Sequence, residues 1–324
     1  MTTGYTVAQL RAAVADAVRA PSLHNTQPWR FRLHDDGIEI AIDPSRRLPA
    51  TDPTGWGARL ACGAALFNLR LALAVAGTPA TVRLRPYPGD PDVVARLAPD
   101  VPRRPTPTEQ SLYAAIGRRF SNRAPFWPDP VPAEARWRLG EAARAEQSWL
   151  ELVIGTSAVA AFAEVARSAH RVLERDPAYV AERMAWIRSE PAPDGVPAAA
   201  GGPQSEPQDL LPQRGFGGRD RAPGRDFEPE PLVAVLGSAG NTGTDQIVAG
   251  QALQRVLLTA TDAGLGVSML SQPIEVPGAR EALRLSLGRF GTPQMVMRIG
   301  YGQPGRATPR RAVDEVLDLP VVPA

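Results

Sequence analysis

Apolar positions recur at helical spacing over residues 6–20. Val7, Leu10, Val14 and Val18 share one face. Thr6 and Gln9 have capping-box spacing, in which each side chain reaches the other's backbone N–H. These features predict a helix. A polar loop, APSLHNTQP (20–28), follows it. The period then drops to two: RFRLHDDGIEIAID (30–43) is a pair of alternating runs about Asp36-Gly37, which predicts a β-hairpin. Residues 52–77 are apolar on nearly every side, as expected of a helix buried all round, with Gly77 as its C-cap. ATVRLRPY (80–87) reads as a strand, and 86–108 as a Pro- and Asp-rich connection.

The pattern restarts at residue 109. EQSLYAAIGRR predicts a helix ending near Arg118 or Arg119, and 132–147 a second helix. WLELVIG (149–155) is a strand, and 157–189 reads as long helical segments broken at Pro177. Apolar residues then thin out over 190–231, where Pro, Gly and charge accumulate. A segment of that length and composition inside a compact chain predicts a lid or a disordered segment. PLVAVLGS (231–238) is a strand, 244–263 a buried helix, and GVSML (266–270) and QMVMRIG (294–300) two further strands.

The two buried helices are related. CGAALFNLRLALAVAGTPATV (62–82) aligns without gaps on AGQALQRVLLTATDAGLGVSM (249–269), a shift of 187 that matches Gly63 to Gly250, Leu66 to Leu253 and Gly77 to Gly264. The repeat predicts two related halves in one chain, 1–108 and 109–324, with 190–231 inserted in the second.

Composition narrows the chemistry. The chain has 324 residues, is 44% hydrophobic and carries a formal charge of +2. Its basic residues are scattered, which speaks against a nucleic-acid-binding stripe. All 36 of them are arginine. A lysine Schiff base and a standard Walker loop are therefore excluded, and arginine must serve any phosphate. One cysteine and three dispersed histidines leave no disulfide framework and no metal site. With no signal-peptide pattern and no run of about 20 apolar residues, the expectation is a cytoplasmic protein without a membrane partner.

Three motifs carry candidate chemistry. RRFSNR (118–123) places Arg119, Ser121 and Arg123 at a helix–loop junction, equipment suited to a phosphate monoester, although a solvated basic turn has the same composition. TPRRAV (308–313) sets Arg310 and Arg311 after the last strand, where they matter only if the tail folds back onto the same anion. GYGQPG (300–305) matches GxGxxG, but Pro304 and the short tail beyond it bar the helix a dinucleotide fingerprint needs.

Together, APSLHNTQPWRF and RRFSNRAPF resemble the two signatures of the nitroreductase family of FMN flavoproteins, PSxxNxQPWxF and a basic-x-Ser-x-basic run before an aromatic. The AGLG helix end and the RIGYG…PRR ending also resemble that family. The order of the signatures is reversed and spread, which a fused pseudo-dimer of the actinobacterial Acg type, with a covering lid, accounts for. The resemblance implies an α+β fold: a mixed, mostly antiparallel sheet flanked by helices in two halves. It implies FMN, with NADPH or NADH as reductant and a nitroaromatic, quinone or similar small-molecule acceptor. Pro21, Ser22, Leu23 and Asn25 would meet the flavin ring. Arg119, Ser121 and Arg123 would meet the phosphate, with Arg118 an alternative in register and Arg310 and Arg311 further cations. Flavin N5 would carry the chemistry, so no side chain is assigned as acid, base or nucleophile. A monomer containing an internal pseudo-dimer, or a homodimer, is expected. The alternative function is storage or sequestration of flavin with little turnover.

Overall fold

The computed structural model describes residues 4–204, 209–217, 220, 228 and 231–319. Helix α1 (Val7–Ala17) opens with the expected reciprocal Thr6/Gln9 capping box. The hairpin β1 (Trp29–His34) and β2 (Gly37–Ile42) follows, then the buried helix α2 (Trp56–Val75), β3 (Ala80–Leu84) and β4 (Val93–Pro99). Strand β4 lies inside the stretch expected to be a connection. Pro86, Pro88, Pro91, Pro99 and Pro102 surround its short VVARL pattern and mask it. It nonetheless pairs with β2 on one side and β3 on the other.

Helices α3 (Pro107–Ile116) and α4 (Ala133–Arg144), strand β5 (Trp149–Val153), and helices α5 (Thr156–Glu174) and α6 (Pro177–Ala185) match the sequence pattern, the last two dividing at Pro177. The insertion is not structureless throughout. Beside β6 (Ile187–Arg188), β7 (Val196–Pro197) forms a short parallel pair. Residues 205–208, 218–219, 221–227 and 229–230 of the expected lid lie outside the described residues. Strand β8 (Leu232–Ser238), helix α7 (Gly243–Asp262) and strand β9 (Gly266–Leu270) come next, then helices α8 (Gln272–Glu275) and α9 (Pro277–Ser286) and strand β10 (Thr292–Gly300). The tail ends in α10 (Val313–Val316) and β11 (Leu317–Asp318).

The fold is α+β, with mostly antiparallel pairing distributed over two sheets rather than one. The first has order β11-β1-β2-β4-β3 and the second β5-β8-β10-β9. Without the tail strand the orders correspond: in each, a strand pair precedes a buried helix, and the last strand inserts beside the second. Strand β11 pairs parallel to β1, so the tail crosses onto the first sheet.

Helices α2 and α7 pack on each other at the centre, and their contact follows the repeat. A Cβ on Gly63 would stand 2.2 Å from the Ile247 carbonyl oxygen, and one on Gly250 would stand 2.1 Å from that of Leu60. Leu60 and Ile247 are themselves separated by the shift of 187, so the approach is reciprocal. Gln254 Nε2 donates to Asn68 Oδ1 across the pair at 2.8 Å. Helix α2 is long and apolar enough by composition to cross a membrane, but 83% of its apolar window is buried inside the protein. It is the helix of a core, as its all-round apolar pattern implies.

Candidate functional site

The loop between α1 and β1 holds three successive demands on its backbone. His24, Asn25 and Gln27 all adopt left-handed φ, at 50°, 57° and 53°. Such conformations cost non-glycine residues on the order of 1–3 kcal/mol each and persist only where surroundings impose them. Here side chains and two distant segments impose them. Ser22 Oγ accepts from the Gln27 N–H at 2.9 Å. Asn25 Nδ2 donates to the carbonyls of Gly195 (2.9 Å) and Pro309 (3.0 Å). Gln27 Nε2 donates to the Pro193 carbonyl at 2.9 Å, and its Oε1 accepts from the Arg311 N–H at 2.8 Å. Arg46 ties the Thr26 carbonyl to the Asp194 carboxylate. The loop is thus clasped between the insertion and the tail.

Beside it lies a cavity lined by residues of both halves and of the insertion. Pro21, Ser22 and Leu23 form one wall, and Ser121 and Arg123 stand on another. Leu60 and Ala61 of α2 and Leu253 of α7 supply an apolar surface. Ser268 and Ser271, on and just after β9, complete it. The hydroxyls of Ser121, Ser268 and Ser271 make no hydrogen bond among the described residues. They remain available to whatever fills the space.

Behind the loop is a cationic corner. Arg119 Nη2 donates to the Arg19 carbonyl at 3.0 Å, and Arg310 Nη2 donates to the same oxygen at 3.3 Å. Arg310 also donates to the Ala20 carbonyl, to Thr308 Oγ1 and to Asn25 Oδ1. The Nε of each arginine is buried without a partner. Neither forms an ion pair among the described residues. Burial pushes Arg119 down to about 10. Burial, then the charge of Arg119 and that of Arg19, push Arg310 down to about 9. Two neighbouring cations, Arg119 buried and Arg310 half-buried, with unused donors are costly alone and favourable around an anion. A phosphate dianion fits this donor set.

The expected site residues therefore divide. Arg119 joins Arg310, because the tail folds back. Arg123 instead lines the cavity, donates to the Ala200 carbonyl at 3.0 Å and lies 4.9 Å from the Phe216 ring centroid. Burial, and secondarily the charge of Arg214, push it down to about 10. Arg118 is exposed. The Arg311 guanidinium turns to the Glu315 carbonyl and towards Asp43, so its backbone serves the loop while its side chain serves the tail. The Asn25 amide is engaged by protein partners at both ends.

Several lining residues gave no signal in the sequence. Arg214 and Phe216 come from the insertion. Arg214 reaches the site because it pairs with the buried Glu275 of α8 at 2.6 Å. Phe216 packs edge-on to His24, with centroids 5.8 Å apart. His24 is buried, and burial together with Arg214, Arg183 and Arg123 holds its pKa well below the ordinary value, which keeps the imidazole neutral. No group of three or more His, Cys, Asp and Glu residues that could hold a metal occurs among the described residues.

Comparison with known proteins adds to this picture. No family model matches the chain. It is 33% identical over 319 residues to a Mycobacterium tuberculosis protein provisionally named NAD(P)H nitroreductase Rv3131, covering 96% of this chain and 91% of the other. It is 32% identical over 319 residues to the protein provisionally named NAD(P)H nitroreductase acg of the same organism, covering 96% and 95%. Among solved structures, the FMN- and NADPH-dependent nitroreductase NfnB of a Sphigopyxis strain is 20% identical, covers 65% of this chain and 99% of its own, and superposes with a TM-score of 0.42. A nitroreductase with bound FMN from Bacteroides fragilis is 15% identical, covering 62% and 92%, with a TM-score of 0.39.

Proposed function

The chain belongs to the NAD(P)H nitroreductase family, and from that premise we propose that it is an FMN-dependent oxidoreductase taking electrons from NADPH or NADH to a nitroaromatic, quinone or similar small acceptor. The observation that carries the reading is the corner of Arg119 and Arg310, with two orphaned buried Nε atoms, next to a mostly apolar cavity edged by unpartnered hydroxyls. When bound, FMN supplies the two-electron transfer. Arg119 and Arg310 hold its phosphate by charge-assisted hydrogen bonds. Pro21, Ser22 and Leu23 shape the wall against the ring. Ser121, Ser268 and Ser271 offer hydroxyl donors, and Arg123 supplies a positive charge at the cavity.

One chain completes one such site. The halves 1–108 and 109–324 each contribute, which suits a fused pseudo-dimer able to act as a monomer in the cytoplasm. A second site is disfavoured by two features. Residues 145–148 connect α4 to β5 where 18–28 connect α1 to β1, too short a link for a second copy of the loop. Leu60 borders the cavity, whereas its counterpart Ile247 is packed in the core formed with α1 and β1.

The described part of the insertion supports a lid. Phe216 is 5% exposed and lines the cavity, and that cover also suits the second reading, in which flavin is held with little turnover. Anaerobic stopped-flow mixing of the FMN-loaded protein with NADPH or NADH tests both. Bleaching of the flavin absorbance on a catalytic timescale is expected. Bound but unreduced flavin would replace the reductase with the storage reading, and failure to bind flavin would end both.

A further inference from the structure

We propose that Asn25 is a positioning residue that links the phosphate corner to insertion residues 193–204 and 209–217, so that a phosphorylated flavin, and not its dephosphorylated form, seats Arg214 and Phe216 on the cavity wall. The proposal rests on the FMN reading above and concerns how that site recognises its ligand. Asn25 and Gln27 both bridge the tail to the insertion, and Asn25 is the one of the two that touches an arginine of the corner. On one side its Oδ1 accepts from Arg310 Nη1 at 3.0 Å. On the other its Nδ2 donates to the Gly195 carbonyl at 2.9 Å.

Gly195 belongs to the short run that Gln27 and Arg46 also grip, through Pro193 and Asp194. Its backbone has φ +70°, and a Cβ there would stand 2.6 Å from the Trp186 carbonyl oxygen. The run therefore has little freedom to re-seat in another register. Phe216 packs in one buried cluster with Val196 and Ala200 of the same run and sits between His24 and Arg123, while Arg214 is tied to Glu275.

A ligand shifts an equilibrium only by its differential affinity for the two states. The difference here is the orientation of Arg310. Without an anion, Arg310 is repelled by Arg119 and held only by neutral acceptors. An anion shared by the two free Nε atoms removes that repulsion and fixes the guanidinium that holds Asn25. Asn25 in turn fixes Gly195. Riboflavin fills the cavity but leaves Arg310 unclamped. Linkage is reciprocal, so a seated insertion must tighten the hold on the phosphate by the same factor, typically about 5- to 150-fold.

Backbone amide hydrogen exchange on the full chain tests this, read over peptides covering 193–204 and 209–217 with saturating FMN, riboflavin or inorganic phosphate. FMN should slow exchange in both peptides at least about fivefold more than riboflavin, and inorganic phosphate should slow it in 193–204. The variant Asn25→Gly suits the left-handed backbone there, adds no charge, and loses both the acceptor for Arg310 and the donors for Gly195 and Pro309. It should still bind FMN, lose the difference between the two flavins in exchange, and show a matching fall in the FMN-to-riboflavin affinity ratio. A purely structural Asn25 would raise exchange equally with either flavin. Equal protection by FMN and riboflavin in the parent chain overturns the link while leaving the cofactor reading intact. Absence of flavin binding would bring down both. The parent comparison decides even if the variant does not fold.

Discussion

Burial, with the charges of Arg119 and Arg19, pushes Arg310 down to about 9, and this makes phosphate recognition dependent on pH. A bound dianion favours the protonated guanidinium. Below about 9 the group is already charged, so affinity for FMN should be flat. Above 9 binding must take up a proton, and affinity should fall by up to about tenfold per pH unit. Riboflavin, lacking the anion, should show no such fall, and fluorescence titration of both ligands from neutral to alkaline pH checks it. Arg119→Met or Arg310→Met should each remove a charged hydrogen-bonding group worth roughly 1.5–3 kcal/mol, about 10- to 150-fold in FMN affinity, with riboflavin hardly affected. Arg123→Met should instead weaken both flavins alike, because Arg123 faces the cavity. If Arg123→Met abolishes the preference for FMN, the corner has been assigned to the wrong arginine. At this scale the motifs identified Ser22, Arg119 and Ser121 as candidates, since each sits in a short local pattern. Arg214, Phe216 and Ser268 have no local pattern, because a pairing with Glu275, a ring contact and a strand register bring them to the cavity.

The central helix pair shows how a single missing atom sets an element's place. On an exposed helix, glycine to alanine gains about 1 kcal/mol of propensity. At Gly63 the added Cβ would meet a carbonyl oxygen at 2.2 Å, and overpacking of that kind costs about 1–3 kcal/mol or more. The steric cost exceeds the gain, so Gly63→Ala should destabilise the protein. Gly250→Ala should do so to a similar extent, because the two approaches mirror each other. Denaturant unfolding of both variants measures this; an increase in stability for either would mean the helices can separate freely there. Helix α2 was legible because a helix buried on all sides is apolar on nearly all sides, and α7 because its sequence repeats that of α2. Strand β4 was not, because its prolines resemble those of a loop while its neighbours β2 and β3 supply the pairing that makes it a strand.

For the whole molecule the expected stoichiometry is one FMN per chain, measured by absorbance of released flavin against protein concentration. Among the described residues the 145–148 link is too short for a second copy of the loop, and Ile247 is packed in the core. A value near two would refute the half-degenerate pseudo-dimer. The repeat with its shift of 187, the buried helices, the hairpin and the two separated signatures were determined by the amino-acid order alone, because each depends on neighbours within a few turns or on self-similarity along the chain. Three things were decided only by tertiary structure: the return of the tail that pairs Arg310 with Arg119, the division of RRFSNR between corner and cavity, and the clasp of Asn25 between Gly195 and Arg310. Each joins residues far apart in the chain. Which distant groups meet depends on how the two sheets and the central helices pack, and no local pattern records that.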